Sequence, residues 1–243
     1  MSPSAEIWTQ IVEAYRDANW YECVRTIRPV VEEEPHDLGA RFLLAELYTR
    51  LENRGLALLQ YERLLPLAIG RGDFYAALAA QRRLDEVHPT SRQHTQRYAA
   101  MQQWFRSLAA RGEMRADSDL GLAPGMFFDM EPAVFSRVAE GAKLRLLDPA
   151  PMDLTAAFGE RWVVVFGRVL VPSSGRPTVA LAGATLDDGG PGPMTLHVEP
   201  ETPALCMGLD LALPAHETPA APATPSAAPG AGANPLDAER HAA

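Results

Sequence analysis

Six histidines, two cysteines, an acidic triplet and a glycine cluster are the residues of this 243-residue chain whose types could do chemistry. His88 and His94 straddle Pro89, which denies them the i, i+4 spacing at which two histidines on one helical face hold a metal. His36, His216 and His241 fall at a helix end or in an Ala/Pro-rich tail, and His197 alternates with apolar residues, which points it outward from a strand. Glu32-Glu33-Glu34 sits at the C-terminal end of a predicted helix, where the macrodipole disfavours anions, and reads as a solvated run. Gly189-Gly190-Pro191-Gly192 lacks the Lys-Ser/Thr of a phosphate loop and precedes no helix, so it reads as a turn between strands. Cys23 and Cys206 stand in apolar company, far apart and outside any C-x-x-C pair, as small buried hydrophobes. No nucleophile, base and orienting group assemble. The expectation is a non-enzymatic protein that needs no metal and no cofactor.

Charge narrows the partners. The chain carries 22 Lys+Arg against 31 Asp+Glu, a formal charge of −9. Residues 1–111 balance 14 Arg against 14 acids, so the whole excess lies beyond them, and Lys143 is the single lysine. No basic stripe is present to neutralise a row of phosphates, which argues against nucleic acid. No segment approaches the roughly 20 apolar residues of a membrane span, and the first residues have neither a basic n-region nor an apolar core. A cytoplasmic location is the expectation.

The elements that must position any functional residue change character along the chain. From Ser4 to Arg111 apolar residues recur at three and four, predicting helices over 4–17, 20–34, 37–51, 55–69, 73–87 and 90–111. Asn19 with Glu22 and Thr90 with Gln93 fit the capping box, and short connections make the helices antiparallel hairpins. Pro29 and Pro66 fall inside predicted helices and should kink them. Residues 112–124 read as a linker. Beyond a short helix, Glu131 to Gly141, the period becomes two. Strands are predicted at Leu144 to Leu147, Trp162 to Val171, Thr178 to Leu186, Met194 to Val198 and Ala204 to Leu211. From Pro214 the chain lacks the apolar bulk that could offset the entropy of ordering, which predicts a disordered tail.

Trp8, Ile11, Val12 and Tyr15, followed by Cys23, Ile27, Val30 and Pro35, occupy the large-small-aromatic and small-aromatic-small-proline positions of a helical hairpin. Arg41, Leu44, Ala45 and Tyr48 with Ala57, Tyr61 and Leu64 repeat them 33 residues on, and Tyr75, Leu78 and Ala79 begin a third unit. This resembles the tetratricopeptide-repeat family, whose unit is about 34 residues. The resemblance implies stacked hairpins with small residues at Ala45, Ala57, Ala77 and Ala79 where axes approach, and an irregular last helix acting as a cap. It also implies a concave groove lined by Thr9, Glu13, Arg16, Phe42, Glu46, Thr49, Arg50 and Arg83. Phe42 is there either an anchor ringed by charge or a residue packed on a neighbouring helix. Thr9, Glu13, Phe42 and Glu46 replace the Lys and Asn of a carboxylate clamp, which disfavours a peptide held by its C-terminus.

Phe127, Phe128 and Phe135, then Lys143 to Leu147, then the run from Arg161 through Gly167 to Val171 resemble the opening of a cyclic-nucleotide-binding domain. The other reading is a generic β domain in which Val163 to Val171 is core strand. The resemblance implies a jelly roll whose phosphate cassette corresponds to Leu186 to Leu196. Pro193 stands where that family has its Glu and Thr202 near where it has its Arg, so a phosphate would lose its water without compensation unless Arg161, Arg168 or Arg176 supplied the cation.

The expected fold is therefore multidomain α+β. Residues 1–111 form a tetratricopeptide-like helical solenoid, 112–124 a linker, 125–213 a small antiparallel β-sandwich or jelly roll, and 214–243 the tail. The expected function is that of an adaptor binding a protein partner through the helical groove. The alternative is a sensor whose β domain binds a cyclic nucleotide. A second copy could cover an apolar end of the array, giving a homo-oligomer.

Overall fold

The computed structural model describes residues 3–88, 94–114, 123–157, 159–171, 178–186 and 194–212. The fold is α+β, with helices first and two antiparallel sheets after them. Five helices open the chain: α1 (Pro3–Arg16), α2 (Trp20–Glu33), α3 (Leu38–Arg50), α4 (Arg54–Gly70) and α5 (Phe74–Val87). Each packs on the next, the serial contact that short antiparallel connections impose.

Their turns repeat in detail. Ala18 and Glu52, 34 residues apart, both take a left-handed backbone conformation at φ 52° and 57°. The amide of the following residue reaches five residues back, Asn19 to the Ala14 carbonyl and Asn53 to that of Tyr48, each at 2.9 Å. Asn19 and Asn53 then cap the next helix, their Oδ1 atoms accepting from the Glu22 and Leu56 amides at 3.2 Å. One asparagine thus closes one helix and starts the next, satisfying orphan groups on both. Gly72 at φ 68° and Asp73, which caps α5 through the Ala76 amide, build the same turn from other residues.

Ala45, Ala57, Ala77 and Ala79 are fully buried, as expected of positions where axes approach. α2 and α4 each run through their proline, Pro29 and Pro66, as one element. Both prolines lie on exposed positions, where a carbonyl deprived of its N–H partner can turn to water.

The helices α6 (His94–Ala110), α7 (Gly125–Phe128) and α8 (Pro132–Gly141) complete the helical part, and α6 lies mainly against α7 and α8. Phe74 is the centre of their packing, with ring centroids of Tyr75, Phe105, Phe127, Phe128 and Phe135 between 5.3 and 6.1 Å away. The phenylalanines that the sequence groups with the β segment therefore fill the helical core. Gln102, buried on α6, holds this arrangement by donating to the carbonyls of Phe127 and Met130.

Among the described residues seven strands follow: β1 (Lys143–Leu147), β2 (Met152–Ala156), β3 (Glu160–Phe166), β4 (Val169–Val171), β5 (Thr178–Ala180), β6 (Met194–Pro200) and β7 (Ala204–Asp210). They form one sheet in the order β1-β7-β3 and another in the order β2-β6-β4-β5, antiparallel throughout. In the first sheet β3 and β7 are buried on both faces, while Lys143 and Arg145 of β1 are exposed. Val163 and Val165 of β3 and Leu205, Met207 and Leu209 of β7 face the helices and share their core. Trp162, Val164, Ala204 and Cys206 alternate with them and face the second sheet, meeting Leu154, Val169 and Val198. Layers run helix, sheet, sheet, and β3 and β7 accordingly read as unbroken apolar runs.

Two predicted strands are broken. Trp162 to Val171 divides at Gly167, whose φ is 93° and where a Cβ would lie 2.6 Å from that of Ala204. Only glycine fits both that dihedral and that approach. Thr178 to Leu186 ends as a strand at Ala180, and Gly183, at φ 91°, turns the chain onto β3. There the Val164 amide donates to the Ala184 carbonyl at 2.9 Å and the Leu186 amide to that of Trp162 at 2.9 Å. β2 was not anticipated, although Met152-Asp153-Leu154-Thr155-Ala156 alternates inward and outward. The turn expected at Gly189-Gly190-Pro191-Gly192, the Thr90 cap and the tail lie outside the described residues.

Candidate functional site

The first sheet occupies the helical face on which a partner groove was expected. Phe42 of α3 is fully buried and stacks on Phe166 of β3, ring centroids 5.7 Å apart and planes 19° from parallel. It does not meet solvent, and its ring stacks on the chain's own β part. Arg50, at the far end of the same helix face, is held as well. Its guanidinium lies over the rings of Tyr15 (5.1 Å) and Trp20 (4.6 Å) and bonds Asp148, between β1 and β2, at 3.0 Å. Both residues clasp helices to sheet, which corrects their assignment to an open groove. The physical reason is that an apolar sheet face, β3 and β7, also had to be covered, and α3 offered the matching surface.

Glu46, Thr49 and Arg83 do come together. Arg83 of α5 makes a two-pronged bond to Glu46 of α3, at 2.7 and 2.9 Å, and a third bond to Glu86 at 2.7 Å. The Tyr61 hydroxyl donates to Glu46 at 2.9 Å, and Thr49 lies 3.3 Å from that hydroxyl while donating to the Ala45 carbonyl. Burial and the Glu46 charge raise the Tyr61 pKa. Burial pulls Arg83 down, but Glu46, Tyr61 and Glu86 outweigh it and raise the guanidinium pKa. This is a saturated ion-pair network joining α3, α4 and α5, and its acceptors are already engaged. Beside it a cavity of about 610 Å3 is lined by Thr49, Arg54, Arg83 and Glu86, a mixed-charge mouth rather than a catalytic pocket. Thr9, Glu13 and Arg16 remain exposed on α1.

A second cleft escaped the sequence reading. It lies between α2 and α4 with α3 as its floor, about 390 Å3, and carries Arg28, Arg41 and Arg63 together with Leu44, Leu56 and Leu59. Leu56, Leu59, Gln60 and Arg63 share one face of α4 at the i, i+3, i+4, i+7 spacing. Arg41 is the unusual member, only 5% exposed and without a carboxylate. Its Nη1 donates to Gln60 Oε1 and its Nη2 to the Pro35 carbonyl, both at 2.8 Å, while Nε is buried with no partner. Burial and the nearby Arg63 charge both lower its pKa, yet an arginine stays charged at any physiological pH. The signal was present in the sequence: Arg41 occupies the large apolar position of the hairpin pattern.

Elsewhere the chemistry is thin. Asp85, buried on α5, accepts from Tyr98 at 2.8 Å and from Gln81 at 2.9 Å, tying α5 to α6. Burial and then Asp85 raise the Tyr98 pKa. His197 points outward from β6, as expected, and pairs with Asp153 at 2.9 Å. Among the described residues no three His, Cys, Asp or Glu side chains gather as a metal site, and no helix is long and apolar enough to cross a membrane. Arg168 is tied to Glu201 at 3.1 Å, and with Thr202, Trp8, Phe166 and Gly167 it lines a cavity of about 400 Å3. Arg176 and Pro193, on which the nucleotide reading depends, lie outside the described residues. Comparison of the chain with models of protein families and with characterised proteins finds no match.

Proposed function

We propose that this protein is an adaptor that binds a protein partner through a tetratricopeptide-like helical array. The observation that carries the reading is the division of the array's surface: the sheet occupies the α3 face at Phe42 and Arg50, while the cleft of α2, α3 and α4 stays open with Leu56 and Leu59 39% and 38% exposed. Neighbouring exposed leucines rimmed by charge have the composition of a protein-binding surface. The repeated turn at Ala18-Asn19 and Glu52-Asn53 supports the repeat itself, because it recurs at the family's unit length. The partner surface thereby moves from the groove of Phe42 to the opposite side of α3.

The test is site-specific photocrosslinking in the full-length protein. A benzophenone amino acid at Leu59 should yield discrete adducts with a polypeptide, and the same residue at Val179, 37% exposed on β5, should not. Absence of adducts at Leu59, or the same adducts at both positions, refutes the adaptor reading.

A further inference from the structure

Inside the α2–α4 cleft the charges do not balance. Arg28 is matched by Glu32 at 2.9 Å. Arg41 meets only neutral acceptors, and Arg63 has no ion-pair or hydrogen-bond partner among the described residues. Among the described residues Arg41 and Arg63 therefore share one cavity with no carboxylate bonded to either, its one lining carboxylate, Glu32, being taken up by Arg28. A buried guanidinium without its own carboxylate is unfavourable unless something else supplies the negative charge. Arg41 also has five N–H donors, and two of them are used. The unused Nε is an orphan donor on a side chain that lines the cavity.

We infer that this cleft binds an acidic segment of a protein partner, with a carboxylate seated against Arg41 and Arg63 and an adjoining apolar side chain on Leu56 and Leu59. The inference rests on the adaptor reading and names the chemistry of its partner. A carboxylate accepts charge-assisted bonds from guanidinium N–H donors, and Arg41 has donors left over while Arg63 stands exposed beside it. One negative charge suits the site better than a phosphate dianion, because Glu32 lies on the same wall. The leucines point the same way, since a bare inorganic ion has no use for them, whereas an acidic residue beside Leu, Ile or Phe uses both halves of the cleft.

The experiment is selection of a random dodecamer peptide library against the full-length protein, followed by affinities of synthetic winners. Winners should place Asp or Glu beside Leu, Ile or Phe, and changing that acid to its amide should weaken binding on the order of tenfold. Arg41→Met should weaken it as much while melting within a few degrees of the parent, because it removes an unbalanced buried charge together with two hydrogen bonds. Arg63→Glu, at an exposed position, gives the same loss with no packing change and keeps the test valid if Arg41→Met folds poorly. No enrichment, winners without acids, or affinities unchanged in both variants would overturn the inference. Inorganic phosphate binding at matched ionic strength without acidic winners would overturn it too, in favour of a small-anion site. Adducts at Leu59 alongside any of these results would leave the adaptor reading standing and remove only the acidic partner.

Discussion

Phe42 discriminates sharply between an exposed anchor and a shared core. As a groove residue, its loss would weaken partner binding and leave the melting temperature unchanged. Here the side chain has no solvent exposure and stacks on Phe166 across the helix–sheet boundary. Phe42→Ala empties that space on both sides of the boundary. Truncation of a buried phenylalanine costs about 3–5 kcal/mol, of which the ring pair accounts for about 0.5–1.5. For a chain of this size each kcal/mol lowers the melting temperature by roughly 2–4 °C, so the expected fall is about 6–20 °C. Because Val163, Val165, Leu205 and Met207 belong to the same core as the α3 residues, amide exchange should quicken in β3 and β7 as well as in α3. Calorimetry with hydrogen exchange read by mass spectrometry measures both. A change below about 0.5 kcal/mol, typical of surface positions, would refute the packing; exchange rising in α3 alone would refute the common core.

Three further outcomes follow from other contacts. Glu46→Ala removes the two-pronged partner of Arg83, which keeps only Glu86, and leaves the buried Tyr61 hydroxyl without its acceptor; it should destabilise by about 1–3 kcal/mol in urea unfolding, whereas an unpaired surface acid would give almost nothing. Gly167→Ala forces a Cβ onto Ala204 at φ 93° and should cost at least about 1–3 kcal/mol from backbone strain; an unchanged midpoint would mean that the β3–β4 corner has another geometry. The alkaline limb of stability should be steep. Burial raises the Cys23 thiol from its ordinary 9.0 to about 11 and raises Cys206, Tyr15, Tyr61 and Tyr98 as well. The unfolded chain then loses protons that the folded one keeps, so stability is full below about pH 9 and falls as pH rises, the Cys23 share being lost by about pH 11. That share has a slope of at most about 1.4 kcal/mol per pH unit, and Cys23→Ala should remove it; an unaltered slope in urea titrations from pH 8 to 11 would contradict the burial.

Local order in this chain is written locally. Helix positions, the strands around Lys143 to Leu147 and Ala204 to Leu211, and the outward side of His197 follow from a period that a short window of residues determines on its own. The recurrence of the hairpin pattern 33 residues on was legible too, because residue types within each hairpin carry it, whereas the shared left-handed turn at Ala18-Asn19 and Glu52-Asn53 emerges only in the structure. What faces what was not. Phe42 carries the same side chain whether it meets solvent, a helix or Phe166, and only the docking of β3 on α3 makes it core. Arg50 and Asp148 are 98 positions apart, and no pattern joins them. Trp162 to Val171 has the alternation of one long strand, and the break at Gly167 comes from the approach of Ala204, which lies in a distant strand. Arg41 marks the border between the two kinds of knowledge. Its charge at an apolar position is visible in the sequence alone. That Gln60, Pro35 and Arg63 surround it, and that among the described residues no carboxylate bonds it, is decided by three helices meeting in space, because charge balance is a property of neighbours and not of order along the chain.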